Sequence, residues 1–256
     1  MRIPPAYDLV RAGPVRAALR RDLRPLLEPW LLAPRLVLPA GAEPLAGGRG
    51  GAFRAVLPGG QRVIVRLYRR GGVLGRFVHE TFVGPGLGLG ARPLRELVVT
   101  AEILRRGVAT VEVLAARVEG RLFYRGALVT AEIPSATTLF DALRRADPAR
   151  RRALAASAGR VIATLHEAGV SHADLNMTNI LVAPGPDGER IALVDFDRAR
   201  LHRGTLPTAA RRRNLARLAR SLAKLDADGT VAGAEERRVF RTAYANAGTG
   251  EVPCAF

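Results

Sequence analysis

The clearest pattern in the chain is an apolar run, a polar turn and a second apolar run between Leu165 and Arg198. Ile180, Leu181 and Val182 open it, and Ile191, Ala192, Leu193 and Val194 close it. With the turn at Pro184–Glu189 this predicts a β-hairpin. Upstream, Leu154, Ala158, Val161, Ile162 and Leu165 share one face over 149–168, which predicts an amphipathic helix stopped by Gly169. Leu94, Leu97, Val98, Ala101 and Leu104 predict another, stopped by Gly107. Strands are expected over Ala52–Leu57 and Arg62–Tyr68, joined by Pro58, Gly59 and Gly60. Further strands are expected within 111–133, with a turn at Glu119 and Gly120, and a helix follows from near Thr138. Leu215, Leu218, Leu222 and Leu225 form the seam of a late helix, and Glu235–Ala247 forms the last. Residues 1–40 read as an extension with one helix, Val15 to Leu27, ended by Pro29. Strands thus dominate early and helices late, an α+β pattern.

The hairpin matters because of the polar residues at its ends. Asp174 is followed five positions later by Asn179, and Asp195 comes 16 positions after that. The two strands would deliver Asn179 and Asp195 to the same end. Two oxygen ligands beside a further Asp suit Mg²⁺, which takes few protein oxygens and keeps water and phosphate in its shell. Gly47, Gly48, Gly50 and Gly51 precede the first strand of the earlier pair. Such a turn lets backbone amides approach phosphate oxygens without side-chain obstruction.

Composition narrows the partners. The 256 residues carry a net charge of +17, which calls for an anionic partner. Lys224 is the only lysine, so the charge is almost wholly arginine. Aromatic residues make up 5% and no stacking or zinc motif is present, so nucleic acid is not expected. Cys254 is the sole cysteine, which excludes an intrachain disulfide and fits a reducing compartment. No run approaches the roughly 18 apolar residues of a membrane span. Arg16, Arg20, Arg21 and Arg24 break any secretory signal.

The order H-x-D-x-x-x-x-N, strand, D-F-x resembles the catalytic centre of the protein-kinase-like fold. The resemblance implies two lobes, a small and mostly antiparallel β lobe over 41–133 and a mainly helical lobe over 134–256. It implies Asp174 as catalytic base, Asn179 and Asp195 as Mg²⁺ ligands, and ATP as phosphate donor. Gly48, Gly50 and Gly51 would cover the phosphates. Where the fold carries a strand lysine, this chain has Arg66, whose guanidinium can grip phosphate bidentately. Its expected partner is Glu96 in the first turns of the following helix, with Glu102 as a weaker candidate. Thr130–Pro134 would be the hinge between lobes, and Glu132 and Ile133 would meet the adenine. His172 would brace the loop, and His166 would be a structural residue of the preceding helix end.

Further motifs narrow the family. YRRGG at 68–72, RPLRE, HADLNMTNIL, LVDFDR and RRRNLARLARSL together resemble the bacterial 3-deoxy-D-manno-octulosonic acid (Kdo) kinases of the lipopolysaccharide kinase group. That resemblance covers roughly residues 47–225. It implies transfer of phosphate from ATP to a sugar hydroxyl of the lipopolysaccharide inner core, the 4-hydroxyl of Kdo on a lipid A precursor. The place of action would be the cytoplasmic face of the bacterial inner membrane, with the enzyme peripheral on that anionic surface. Arg69, Arg70 and Arg76, with Arg213, Arg217 and their neighbours on the basic helix, would hold the acceptor's carboxylates and phosphates. Alternatives are a kinase of the same fold acting on a heptose, another small molecule or a protein, and an inactive nucleotide-binding module. Asn176 in place of the usual lysine, and the lack of room for an activation segment after Asp197, count against a protein acceptor.

Overall fold

The structure, a computed structural model, describes residues 2–45, 51–68, 82–83, 90–121, 123–186 and 188–248. Two units divide the chain. The first comprises Met1–Ala101 and Glu112–Glu132, and the second Glu102–Val111 and Ile133–Phe256.

The first unit is an antiparallel sheet with a helix on each face. Its elements are β1 (Tyr7–Ala12), β2 (Val15–Arg20), α1 (Arg24–Leu31), β3 (Glu43–Pro44), β4 (Ala52–Val56), β5 (Arg62–Leu67), β6 (Phe82–Val83), α2 (Arg92–Arg105), β7 (Val113–Gly120) and β8 (Phe123–Ala131). The strands run in the order β1-β2-β7-β8-β5-β4-β3, and β6 also pairs with β8. Leu94, Leu97 and Val98 of α2 pack on Ala18, Ala116, Val118 and Leu128. On the other face Leu27 and Leu31 of α1 meet Ala17, Leu19, Leu114 and Val129. Each such buried leucine contributes about 1.5–3 kcal/mol of hydrophobic stabilisation.

The helix expected over Val15–Leu27 is a strand followed by a later, shorter helix. Val15–Leu19 are all buried, because β2 is covered on both sides. A strand of that kind shows no alternation of apolar and polar residues, and Val15 and Leu19 happen to lie at helical spacing. Pro29 does not end α1 but lies inside it. The exit of α1 is held by Arg117, 2% exposed, which donates to the Leu31 and Ala33 carbonyls at 2.5 and 2.7 Å. The first 40 residues therefore supply two strands and a covering helix to the sheet.

The second unit is mainly helical. It comprises β9 (Thr137–Thr138), α3 (Leu139–Arg145), α4 (Pro148–Glu167), β10 (Val170–Ser171), β11 (Ile180–Gly185), β12 (Gly188–Leu193), β13 (Arg200–Leu201), α5 (Thr208–Leu225) and α6 (Ala234–Ala247). Side-chain caps start its first two helices. Thr138 accepts from the Asp141 amide at 3.1 Å, and Asp147 accepts from the Arg150 amide at 2.9 Å, with Pro148 following. Helices α4 and α6 approach closely at Gly159, where a Cβ would lie 2.5 Å from the Phe240 carbonyl. The β11–β12 hairpin is tighter than its sequence suggests, since Pro184 and Glu189 are themselves a paired rung of the ladder. At the end of α4, Gly169 adopts a φ of +70°, which turns the chain into β10 and the polar loop beyond it.

Candidate active site

Four hydrogen bonds organise the loop after β10, two within it and two that tie it to the turn after β12. The Asn179 side-chain amide donates to the Asp174 carbonyl at 2.9 Å. The Asp174 amide donates to Nδ1 of His172 at 3.2 Å. Nε2 of His172 meets the Val194 carbonyl at 3.0 Å, and the Val194 amide donates to the Asn179 carbonyl at 3.0 Å. Asp174, Asn179 and the residue before Asp195 thus sit on one closed circuit. His172 is fully buried, and burial pushes its pKa below the ordinary value, so the ring is neutral. As a neutral ring it accepts at Nδ1 and donates at Nε2, which is what the two backbone partners require.

Two consequences follow for the oxygens. Because Asn179 uses its NH₂ on Asp174, its carboxamide oxygen remains available as a hard ligand. Asp195 adopts a φ of 69°, which is unusual for a non-glycine residue and is held in place by the paired Val194 before it. One amide oxygen and one carboxylate fit Mg²⁺, which fills its shell with water and phosphate. Among the described residues no group of three or more His, Cys, Asp or Glu gathers as a metal cage. Asn176 accepts from the amides of Thr178 and Asn179 at 2.9 and 3.0 Å, shaping the loop in place of a lysine's charge.

The loop is also clamped from α5. Asn214 is fully buried. Its carboxamide, oriented to match its neighbours, donates to the His172 carbonyl at 3.0 Å and accepts from the His172 amide at 3.2 Å. It also accepts from Nε2 of His166 at 3.1 Å. Nδ1 of His166 meets the Tyr244 hydroxyl of α6 at 2.7 Å, and burial followed by the nearby Arg211 charge pushes the His166 pKa down to about 3. Two turns further along α5, Ser221 accepts from the Met177 amide at 3.1 Å. The clamping residues Asn214 and Ser221 were not singled out from the sequence. The available signal was a polar residue on the buried seam that holds Leu215, Leu218 and Leu222.

In the first unit Arg66 of β5 bonds Glu96 of α2, and the Tyr68 hydroxyl donates to the other Glu96 oxygen. The Glu96 side chain is 3% exposed against 31% for Arg66, so the acid is a fixed anchor and the cation keeps an open side. Arg66 also lies 5.1 Å from the centre of the Tyr68 ring. Glu102 instead pairs with Arg105 and Arg106. The Glu132 carboxylate receives Arg54 and Arg62 at 2.6 and 2.9 Å, and its amide donates to the Arg62 carbonyl at 3.1 Å. Gly51 accepts from the Leu67 amide at 2.6 Å, extending the β4–β5 ladder, and Ile133 accepts from the Ala136 amide at 3.3 Å. Arg213 is exposed and Arg217 half-buried on α5, where the Arg217 charge contributes to depressing the His172 pKa. Gly48, Gly50, Arg69, Arg70 and Arg76 lie outside the described residues.

Comparison with known proteins agrees with this architecture. A solved structure of WaaP in complex with acyl carrier protein matches with a TM-score of 0.60 at 21% identity, covering 90% of this chain and 89% of that one. At that identity the match shows the fold, the protein-kinase-like arrangement of the lipopolysaccharide kinases. Residues 45–242 match the model of the Lipopolysaccharide kinase (Kdo/WaaP) family. A 3-deoxy-D-manno-octulosonic acid kinase of Xanthomonas campestris pv. campestris (strain B100) is 40% identical over 186 residues, 72% of this chain and 70% of that protein. Another, from Stenotrophomonas maltophilia (strain R551-3), is 36% identical over 201 residues, 77% of this chain and 76% of that protein. The chain belongs to the lipopolysaccharide kinase (Kdo/WaaP) family, and it is a phosphotransferase acting on a sugar hydroxyl.

Proposed function

We propose that the protein transfers the terminal phosphate of ATP to the 4-hydroxyl of Kdo on a Kdo–lipid A precursor. The likeness to Kdo kinases across 72% of the chain is the observation that carries this acceptor choice. The site geometry supports the chemistry. Asp174 would accept the hydroxyl proton as the new oxygen–phosphorus bond forms; because that proton is lost late, a positioned carboxylate suffices. The loop circuit holds its backbone at both amide and carbonyl, so the carboxylate needs little reorganisation. Asn179 and Asp195 would hold Mg²⁺, which neutralises phosphate charge when bound. Arg66 would grip ATP phosphates from the anchor of Glu96, with Gly48, Gly50 and Gly51 contributing backbone amides. The adenine would meet backbone near Ile133 and the Glu132 carbonyl, since the Glu132 amide and carboxylate are engaged in the sheet.

Arg69, Arg70, Arg213 and Arg217 are the proposed holders of the acceptor's carboxylate and phosphate groups. The surplus of 40 basic over 23 acidic residues also suits peripheral attachment to an anionic cytoplasmic leaflet. No helix among the described residues is long and apolar enough to cross a membrane. Incubation with labelled ATP and Mg²⁺ against Kdo–lipid A, heptosylated core and a protein acceptor tests the assignment. Label on Kdo–lipid A alone is expected. Preferential labelling of the heptosylated core or the protein would replace the acceptor, and no labelling with ATP intact would end the kinase reading for this site.

A further inference from the structure

We propose a second anion site, in the first unit and separate from the residues assigned to catalysis, built by Arg11, Arg16 and Arg121 for a phosphate group. Strands β1 and β2 place Arg11 directly opposite Arg16, so the two side chains leave the same face of the sheet. Arg16 donates through Nη2 to the Gly120 carbonyl at 3.2 Å, which brings its guanidinium to the β7–β8 turn beside Arg121. Three cations therefore gather at one sheet corner, and none of them has an acidic partner among the described residues. Like charges directly opposite on adjacent strands are destabilising, and a covered cation needs a counter-charge.

Arg16 makes this more than a solvated patch. The residue is only 8% exposed, yet among the described residues the Gly120 carbonyl is the one hydrogen-bond partner of its five N–H donors. Among the described residues Thr110 Oγ1 is the one fully buried side-chain polar atom without a partner. The remaining Arg16 donors therefore keep a narrow access to solvent, through which an anion could reach them. Burial and the adjacent Arg11 and Arg121 charges push the Arg16 pKa down, the mark of a cation lacking compensation. A planar guanidinium flanked by two exposed ones suits the several oxygens of a phosphate better than a single carboxylate. A phosphomonoester could come from a lipid headgroup at the anionic surface or from a soluble phosphate.

The test uses the full chain. The thermal unfolding midpoint is followed against inorganic phosphate, with sodium chloride matched for ionic strength, for the wild type, Arg16→Gln and the double variant Arg11→Gln/Arg121→Gln. The wild type should show a saturable rise beyond the chloride control. Both variants should bind phosphate roughly tenfold more weakly while keeping phosphotransfer activity. The double variant changes only exposed side chains, so the test stands if Arg16→Gln folds poorly. Absence of a saturable rise in the wild type, or its survival in the double variant, overturns the site. Co-sedimentation with phosphatidylcholine vesicles with and without phosphatidic acid identifies the source. Loss of phosphatidic-acid-dependent binding in the double variant assigns the headgroup. Unchanged vesicle binding with a lost phosphate response assigns a soluble phosphate.

Discussion

The two units hold their functional candidates by different physics. In the second, Asp174 and Asn179 are fixed by a circuit of hydrogen bonds among neutral groups, and buried His172 and Asn214 complete the frame. In the first, Arg66 is tied to the buried charge of Glu96 and lies against Tyr68, and its side chain remains 31% exposed. A neutral buried frame resists salt and tolerates little change, because each broken bond leaves an unsatisfied polar group. A half-open ion pair keeps one side of the cation accessible to a phosphate while its acid stays anchored. Under the proposed function, the contrast suits Asp174 as a base that must not move and Arg66 as a clamp that must accept a ligand.

Substitutions should separate the two regimes, beginning with the most severe. Asp195→Asn, with the backbone turn kept, should lower the turnover rate about a thousandfold and raise the Mg²⁺ requirement. Titration of activity against Mg²⁺ checks this, and an unchanged requirement would remove Asp195 from the metal. Glu96→Gln should raise the Michaelis constant for ATP roughly tenfold while leaving the acceptor's nearly unchanged. Equal effects on both substrates would show that Arg66 does not serve the nucleotide alone. Asn214→Leu should cost about 2–3 kcal/mol of stability, read from denaturant unfolding, and lower the turnover rate without affecting ATP affinity. Tyr244→Phe removes only the far end of the same chain and should cost about 1 kcal/mol.

Acid should reveal the neutral frame. The pKa of His166 falls to about 3 in the fold, below its usual 6.5, so between those values the unfolded chain binds more protons. Stability should therefore fall as the pH drops from about 6.5 towards 3, by about 2 kcal/mol at pH 5 from this residue. His172 shifts in the same direction and adds to the loss. Unfolding midpoints at pH 7 and pH 5, compared with His166→Gln, measure the contribution; the variant should show the smaller change.

Local patterns were readable and long-range ones were not. The helix expected over 149–168 is α4 at Pro148–Glu167, since its apolar face and its Asp147 cap are both encoded within one stretch. The hairpin was equally clear, and so was the spacing of Asp174, Asn179 and Asp195, because the strands between them fix where they return. The pairing of Arg66 with Glu96 followed from the resemblance rather than from spacing. Strand β2 was misread because burial on both faces erases the alternation that marks a strand. Asn214 was missed because its partner His172 lies 42 residues away, and nothing near either one signals the other.

Under the proposed function Asp174 is the positioned base of a sugar kinase, on a loop held by its own hydrogen bonds and by Asn214 and Ser221 of α5. The most direct test of that role is the steady-state rate of Asp174→Asn with saturating ATP, Mg²⁺ and Kdo–lipid A, measured beside ATP binding. A fall of roughly a thousandfold, with ATP affinity kept within about twofold, is predicted. A rate within tenfold of the wild type would contradict it.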